Sequence, residues 1–364
     1  VGITATMTAG SVTGGLGTTT ISQIEHLKGS MYRDTLGGDS NNNSLDGYQG
    51  NDVLYGFGGD DYLYGNDGDD TLIGGAGIDQ YHGGNGEDIL EFNDVLALGT
   101  GVNHRVWVDL SKADSDGNSA TSGVVIDDGY GTVVTNANNI AEQGIQGIEN
   151  LGGTELYDDT LIGNDSSNKI YGYGGADLLQ GKGGIDYLYG GTGQDILVGG
   201  DGDDFLYGEE DNDTFYGGKG KDIINGGTTG IDAVAFDTIY AGDVSLTSGV
   251  YVDLNTQKVY NDGYASDTTN GIDILTSIEK VLGSSLNDTL IGNATDDDTL
   301  LGYNGDDTIF ISASGIDYLD GGNHTILSGA QGSTTALAGK GDWLSFEKAY
   351  RAGTNDANAV NLAT

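Results

Sequence analysis

Acidic and amide side chains recur every nine residues along two stretches of this chain. One run is Asp34, Asn43, Asp52, Asp61, Asp70, Asp79 and Asp88. The longer is Asp159, Asn168, Asp177, Asp186, Asp195, Asp204, Asp213 and Asp222, and a looser third series holds Asp288, Asp298, Asp307 and Asp317. Carboxylates stacked at close spacing repel strongly unless something neutralises them. Oxygen-only ligands, carboxylate with backbone carbonyl, select a hard cation of flexible coordination, which is Ca2+ rather than Mg2+ or Zn2+. The Asp residues of the three series are the candidate metal ligands.

The spacing also dictates the elements that hold them. Gly172–Asp177, Gly181–Asp186, Gly190–Asp195, Gly199–Asp204 and Gly217–Asp222 all read G-x-x-G-x-D. Glycine belongs where φ is positive or where the backbone approaches a neighbour closely, so this is a tight turn. Two residues after each acid comes an apolar side chain, such as Leu161, Ile170, Leu179, Leu188, Leu197, Leu206, Phe215 and Ile224. That leaves room for a strand of about three residues with this side chain pointing inward. Two such units close a flattened coil, and coils stack at roughly 4.8 Å. Residues n and n+18 therefore lie above one another, Asp over Asp. A disordered, acidic, glycine-rich chain needs no register this strict.

These residues resemble the RTX family of calcium-binding β-rolls, whose nonapeptide is G-G-x-G-x-D-x-U-x. Gly190-Gly191-Thr192-Gly193-Gln194-Asp195-Ile196-Leu197-Val198 matches in full, as does Gly199-Gly200-Asp201-Gly202-Asp203-Asp204-Phe205-Leu206-Tyr207. The resemblance implies an all-β, right-handed parallel β-roll (a β-solenoid) with calcium in its turns, exported by a one-step, type I bacterial secretion system. One unit departs. Before Asp213 the turn is Gly208-Glu209-Glu210-Asp211-Asn212, so Asp211 stands where the second glycine belongs and has to tolerate left-handed geometry.

The chain has 364 residues, 67 Gly, no Cys, no Pro, and a net charge of −43. That charge excludes nucleic acid as a partner and discourages binding to anionic membranes. It also keeps the calcium-free chain expanded. Absence of Cys fits a fold stapled by metal instead of disulfides. No apolar run is long enough for a membrane span, and no signal peptide is visible. Val1 is not an initiator, and the chain reads as a piece of something longer.

In chain order, the reading is a partial cassette over 1–33, a first roll over 34–92 and a connector with a polar insertion over 93–158. A second roll follows over 159–236, a connector over 237–287, a shorter irregular roll over 288–346 and the start of another cassette over 347–364. The connectors repeat: Val106-Trp107-Val108-Asp109-Leu110 answers Val252-Asp253-Leu254, and Ile148-Glu149 answers Ile278-Glu279. Ile3–Met7 aligns with Val250–Leu254. Tandem cassettes of this kind predict an elongated molecule.

The residues flanking each inward side chain point outward, and many are aromatic: Tyr62 and Tyr64 in the first roll, and Tyr171, Tyr187, Tyr189, Phe205 and Tyr207 in the second. Half-exposed strands are normally polar outside. Stacked aromatic ladders account for this at about 0.5–1 kcal/mol per pair. Packing against the connectors or against neighbouring subunits is the sharper expectation, and these tyrosines are the candidate interface. Stacking on sugar rings is a third reading.

No catalytic site is expected. His26, His82, His104 and His324 form no ligand spacing, and there is no G-x-S-x-G elbow and no Cys nucleophile. The expectation is a secreted, calcium-dependent structural protein of the bacterial cell exterior, a surface-layer, sheath or filament subunit. It would bind about ten Ca2+ ions, fold outside the cell and self-assemble into a fibre or layer. The alternatives are the stalk or polysaccharide-binding region of an adhesin, or the secretion and folding cassette of an exported enzyme.

Overall fold

The structure, a computed structural model, describes residues 2–14, 17–92, 106–111, 122–128, 143–236, 246–264, 271–293, 297–310, 318–322 and 343–345. Asp317, the start of the further cassette at 347–364 and most of the insertion between Ser111 and Ser122 lie outside the described residues. Every regular element among the described residues is a β-strand. The chain divides into two compact units, Val1–Gly199 and Gly200–Thr364.

In the first unit the chain alternates between two parallel sheets every nine residues. Thr35–Gly37, Val53–Gly58, Thr71–Ala76 and Ile89–Glu91 form one ladder, with Leu36, Leu54, Leu72 and Leu90 in register. His26–Lys28, Ser44–Gln49, Tyr62–Asp67 and Gln80–Asn85 form the other, with Leu27, Leu45, Leu63 and Tyr81 in register. From Leu36 to Leu90 these inward side chains are 0–1% exposed, and they fill the space between the sheets. Burying each leucine contributes about 1.5–3 kcal/mol. The alternation of two sheets over a shared core is therefore the D-x-U spacing made physical.

The described connector strands are rungs of the same ladders. Asn150–Gly152 pairs with Ile89–Glu91 on one side and Lys169–Gly174 on the other, which carries the inward row from Leu90 through Leu151 to Ile170. In the second sheet the ladder passes through an antiparallel excursion. Gln143–Gln146 pairs in parallel with Gln80–Asn85, then Ser122–Asp128 and Val106–Asp109 follow antiparallel, and Val106–Asp109 pairs in parallel with Thr160–Ile162.

The second unit repeats the device. Ala233–Ala235 passes straight to Lys280–Leu282 and Thr299–Leu301. Asp273–Thr276, Lys258–Asn261 and Tyr251–Asp253 make the antiparallel excursion between Ile223–Gly227 and Thr289–Ile291. A third copy stands at the start of the chain, where Thr4–Thr6 pairs in parallel with Thr35–Gly37 and antiparallel with Ser11–Gly14. The alignment of Ile3–Met7 with Val250–Leu254 thus has a structural basis.

Candidate metal centres

Each turn of the nonapeptide type has two left-handed residues. They are Tyr48 (φ 79°) and Gly50 (φ 116°), Phe57 (73°) and Gly59 (98°), Asn66 (75°) and Gly68 (138°), and so on along the rolls. Non-glycine residues at the first of these positions cost roughly 1–2 kcal/mol each. The glycine that opens the turn has a different task. A Cβ at Gly65 would overlap Oδ2 of Asp70 and the carbonyl of Gly83; one at Gly56 would overlap Oδ2 of Asp61 and the carbonyl of Gly74. That glycine exists to let a carboxylate and a carbonyl from the next coil approach the backbone. In the departing turn, Glu209 (φ 81°) and Asp211 (φ 74°) do adopt left-handed geometry, and Gly208 keeps Oδ2 of Asp213 close beside it.

The acids stack as their spacing requires, with one oxygen already engaged. The N–H of Asp34 donates to Oδ1 of Asp52 (2.7 Å), Asp52 to Asp70 (2.7 Å) and Asp70 to Asp88 (2.8 Å). Asn43, Asp61 and Asp79 are linked in the same way (2.7 and 2.8 Å). Asp159 donates to Asp177 (2.7 Å), Asn168 to Asp186 (2.7 Å), Asp177 to Asp195 (2.8 Å) and Asp204 to Asp222 (2.9 Å). In the looser places the coil holds one more residue: Asp213 donates to Asp232 and Asp288 to Asp307, both at 2.8 Å across nineteen positions.

The other oxygen is the informative one. Oδ2 of Asp52, Asp61, Asp70, Asp88, Asp177 and Asp222 is buried without a hydrogen-bond partner. At Asp52, Asp61, Asp70, Asp88 and Asp177 it shares its small cradle with a main-chain carbonyl of the neighbouring coil or connector. Two oxygens that face each other with no hydrogen between them need a proton or a cation. Burial accordingly pushes the carboxyls of Asp52, Asp61 and Asp88 up to about 7 and that of Asp177 up to about 8. Burial, and next the charge of Asp273, drive Asp222 well above the usual carboxylate range. Among the described residues no three acidic or imidazole side chains converge on one point, so an ion held here draws on main-chain oxygens. Hard oxygen donors, flexible turns and one carboxylate per turn fit Ca2+.

Not every rung is alike. Asp34, Asp159 and Asp288 accept the N–H and hydroxyl of Ser30, Thr154 and Ser284. Burial raises Asp159 only to about 6, because the N–H groups of Val106 and Thr154 and the Thr154 hydroxyl hold it down. At Asp79 the phenol of Tyr81, an inward side chain 1% exposed, reaches Oδ2 at 3.4 Å and lies against Gly74.

Four further acids join the ladders from outside the repeat pattern. Oε2 of Glu149 accepts the N–H of Asp88, and Oε2 of Glu279 that of Asp232, both at 3.0 Å. The carbonyls of Gly147 and Ser277 crowd Gly83 and Gly226 as the next turn would. Asp273 accepts the N–H of Asp222 at 2.9 Å. Asp232, Asp273, Glu149 and Glu279 each stand two residues before a buried apolar side chain (Val234, Leu275, Leu151 and Val281), and that spacing, with the recurring Ile-Glu pair at Glu149 and Glu279, is their signal in the sequence.

The outward aromatics form ladders. Tyr171 stacks on Tyr189 with centroids 4.9 Å apart and planes at 6°, and Tyr64 stacks on His82 at 4.8 Å and 4°. Tyr62 is 50% exposed. Tyr64, Tyr171, Tyr187, Tyr189, Phe205 and Tyr207 are half-buried. Ile73, Val198 and Tyr216 each stand one residue before the glycine that opens a turn, and they are 6–7% exposed, so parts of the outer faces are covered by the protein itself.

A ladder of carboxylates set against carbonyls in glycine turns, on a parallel solenoid, defines a calcium-binding β-roll. The family model of the RTX calcium-binding nonapeptide repeat matches residues 29–56, 37–72, 55–90, 155–188, 189–224 and 282–310. These segments, in all three rolls, carry RTX calcium-binding nonapeptide repeats. Comparison with curated proteins gives no match. No helix among the described residues is long and apolar enough to cross a membrane.

Proposed function

We propose that this chain is a secreted, non-enzymatic structural protein of the bacterial cell exterior that folds and then self-assembles when it meets Ca2+ outside the cell. The observation that carries the reading is the row of buried Oδ2 atoms without a hydrogen-bond partner at Asp52, Asp61, Asp70, Asp88 and Asp177, each in a cradle shared with a carbonyl. In a calcium-poor cytoplasm these sites stay empty and the net charge of −43 opposes compaction. Extracellular calcium modules bind at roughly 10⁻⁴–10⁻³ M, so the transition falls between the two compartments. Bound calcium supplies charge neutralisation. The protein's part is to aim Oδ1 by an N–H from the preceding coil and to hold Oδ2 beside a carbonyl. Family members are typically exported by type I systems, which pass unfolded chains, and this supports the assigned location.

Self-assembly draws its support from the aromatic ladders and the exposed ring of Tyr62. Light scattering and electron microscopy in millimolar calcium, before and after a chelator, test it. Ordered assemblies that dissolve on chelation are expected. Monodisperse monomers at saturating calcium that stay bound to a polysaccharide column would replace assembly with an adhesive role.

A further inference from the structure

All three rolls open on two turns that differ from those that follow. The turns before Asp34 and Asn43, before Asp159 and Asn168, and before Asp288 and Asp298 lack the second glycine. Among their described residues none has a positive φ, whereas the third turn of each roll restores the left-handed pair, as in Tyr173 (70°) with Gly175 (122°) and Tyr303 (65°) with Gly305 (139°).

What the early turns present to the rung is also different. In the first of each pair, a Ser or Thr supplies donors to the carboxylate: Thr154 donates its N–H (2.6 Å) and its hydroxyl (2.9 Å) to Oδ2 of Asp159, and Ser284 its N–H and hydroxyl to Asp288 (2.7 Å each). Ser30 does the same for Asp34. Oδ1 of Asp34, Asp159 and Asp288 takes the N–H of Ile3 (2.6 Å), Val106 (2.8 Å) and Val250 (2.8 Å), and at Asp34 and Asp288 that same oxygen also takes the serine hydroxyl. In the second turn, a main-chain N–H again points at the rung, from Asp39 to Asn43 (2.7 Å), from Asn164 to Asn168 (2.8 Å) and from Asn293 to Asp298 (2.7 Å). Two of these rungs are uncharged amides, and Nδ2 of Asn168 donates to the Glu149 carbonyl at 2.6 Å.

At Asp34, Asp159 and Asp288 donors reach both carboxylate oxygens, and in all of these turns they direct the positive end of a dipole toward the place a cation would occupy. We propose that the first two turns of every roll are metal-free caps, and that calcium enters only from the third turn onward, at Asp52, Asp177 and Asp307. The caps also set the first ligand rung. The N–H groups of Asp34, Asp159 and Asp288 are the donors that orient Asp52, Asp177 and Asp307. Each roll therefore carries an ion-independent template at its N-terminal end, and calcium-driven folding proceeds away from it.

The inference rests on the reading that the later rungs hold calcium, and one experiment separates the two. Bound calcium per chain is counted by equilibrium dialysis and metal analysis on the whole chain at saturation. Asp177→Asn is expected to lose an ion, while Asp159→Asn keeps the full count. Thr154→Val is expected to keep the count but to shift the calcium midpoint of folding upward several-fold, because the cap loses its hydroxyl. Loss of an ion in Asp159→Asn overturns the cap assignment. If Asp159→Asn does not fold, Thr154→Val decides by the same count. An unchanged count in Asp177→Asn overturns the calcium reading of the rungs themselves, and the caps with it.

Discussion

Asp177 shows what a single rung demands. Its Oδ1 is fixed by the N–H of Asp159, its Oδ2 has no hydrogen-bond partner, and burial pushes its pKa up to about 8. Asp177→Ala removes one ligand, so the calcium midpoint should rise and the transition should become shallower in a circular-dichroism titration. An identical titration curve would refute the site. Gly65→Ala tests the cradle instead of the carboxylate, because its Cβ would collide with Oδ2 of Asp70 and the Gly83 carbonyl. Overpacking of this kind costs about 1–3 kcal/mol, and calcium uptake at Asp70 should be lost with it. The raised carboxyls also give a pH prediction for the calcium-free chain. Unfolded Asp titrates near 3.9, below the values of about 7 to 8 in the folded rungs. The folded state therefore binds more protons between these limits, so its stability is fully present below about pH 4 and is lost as pH rises through 7 to 8. Chelated protein should gain β-structure on acidification, and the apparent calcium affinity should increase with pH over the same window. A calcium-free chain that folds better at pH 8 than at pH 5 would contradict this sign.

The inserted excursions decide how the strands and turns are joined. The connector strands replace coils in the stack, with Glu149 and Glu279 closing the ladders that Asp88 and Asp232 leave open. Glu149→Ala should leave the buried N–H of Asp88 without its acceptor, at a cost of about 1–3 kcal/mol. A lower thermal midpoint at saturating calcium is the readout, and no change would mean that water serves that N–H equally well. The rolls could be read directly from residue types, because a nine-residue period with fixed glycines has few physical realisations. The inward leucines from Leu36 to Leu90 and the rung acids followed from it. The connectors could not be read in this way. Their pairing spans 51 residues between Asp222 and Asp273 and 61 between Asp88 and Glu149, and no periodicity survives such a gap. Asp273 was hidden for the same reason, whereas Asp232 pairs with Asp213 across only nineteen positions and was hidden by the single residue that its coil adds. The caps were visible only as missing glycines, and their meaning needed the direction of the N–H groups.

Across the whole molecule, 56 acidic side chains against 13 basic ones make folding a contest between metal and self-repulsion. Each site filled to ten times its dissociation constant stabilises by about 1.4 kcal/mol, so several sites together reach the 5–15 kcal/mol typical of a domain. Chelation should therefore expand the chain, seen as a larger hydrodynamic radius in analytical ultracentrifugation. Added monovalent salt should shrink it only partly, since screening relieves repulsion without supplying ligands. A radius indifferent to chelator would mean that the leucine core alone holds the fold.

The coil length bears on how such a chain can change in length. Because Leu36, Leu54, Leu72 and Leu90 share one sheet and Leu45, Leu63 and Tyr81 the other, duplication or loss of eighteen residues returns every later strand to its own sheet. A change of nine would send each later strand to the opposite sheet. A single added residue is absorbed within a turn, as between Asp213 and Asp232. Copying errors in a gene for this chain are thus sorted by arithmetic: whole coils keep every strand in its sheet, single residues are tolerated at turns, and half-coils exchange the two sheets for everything that follows.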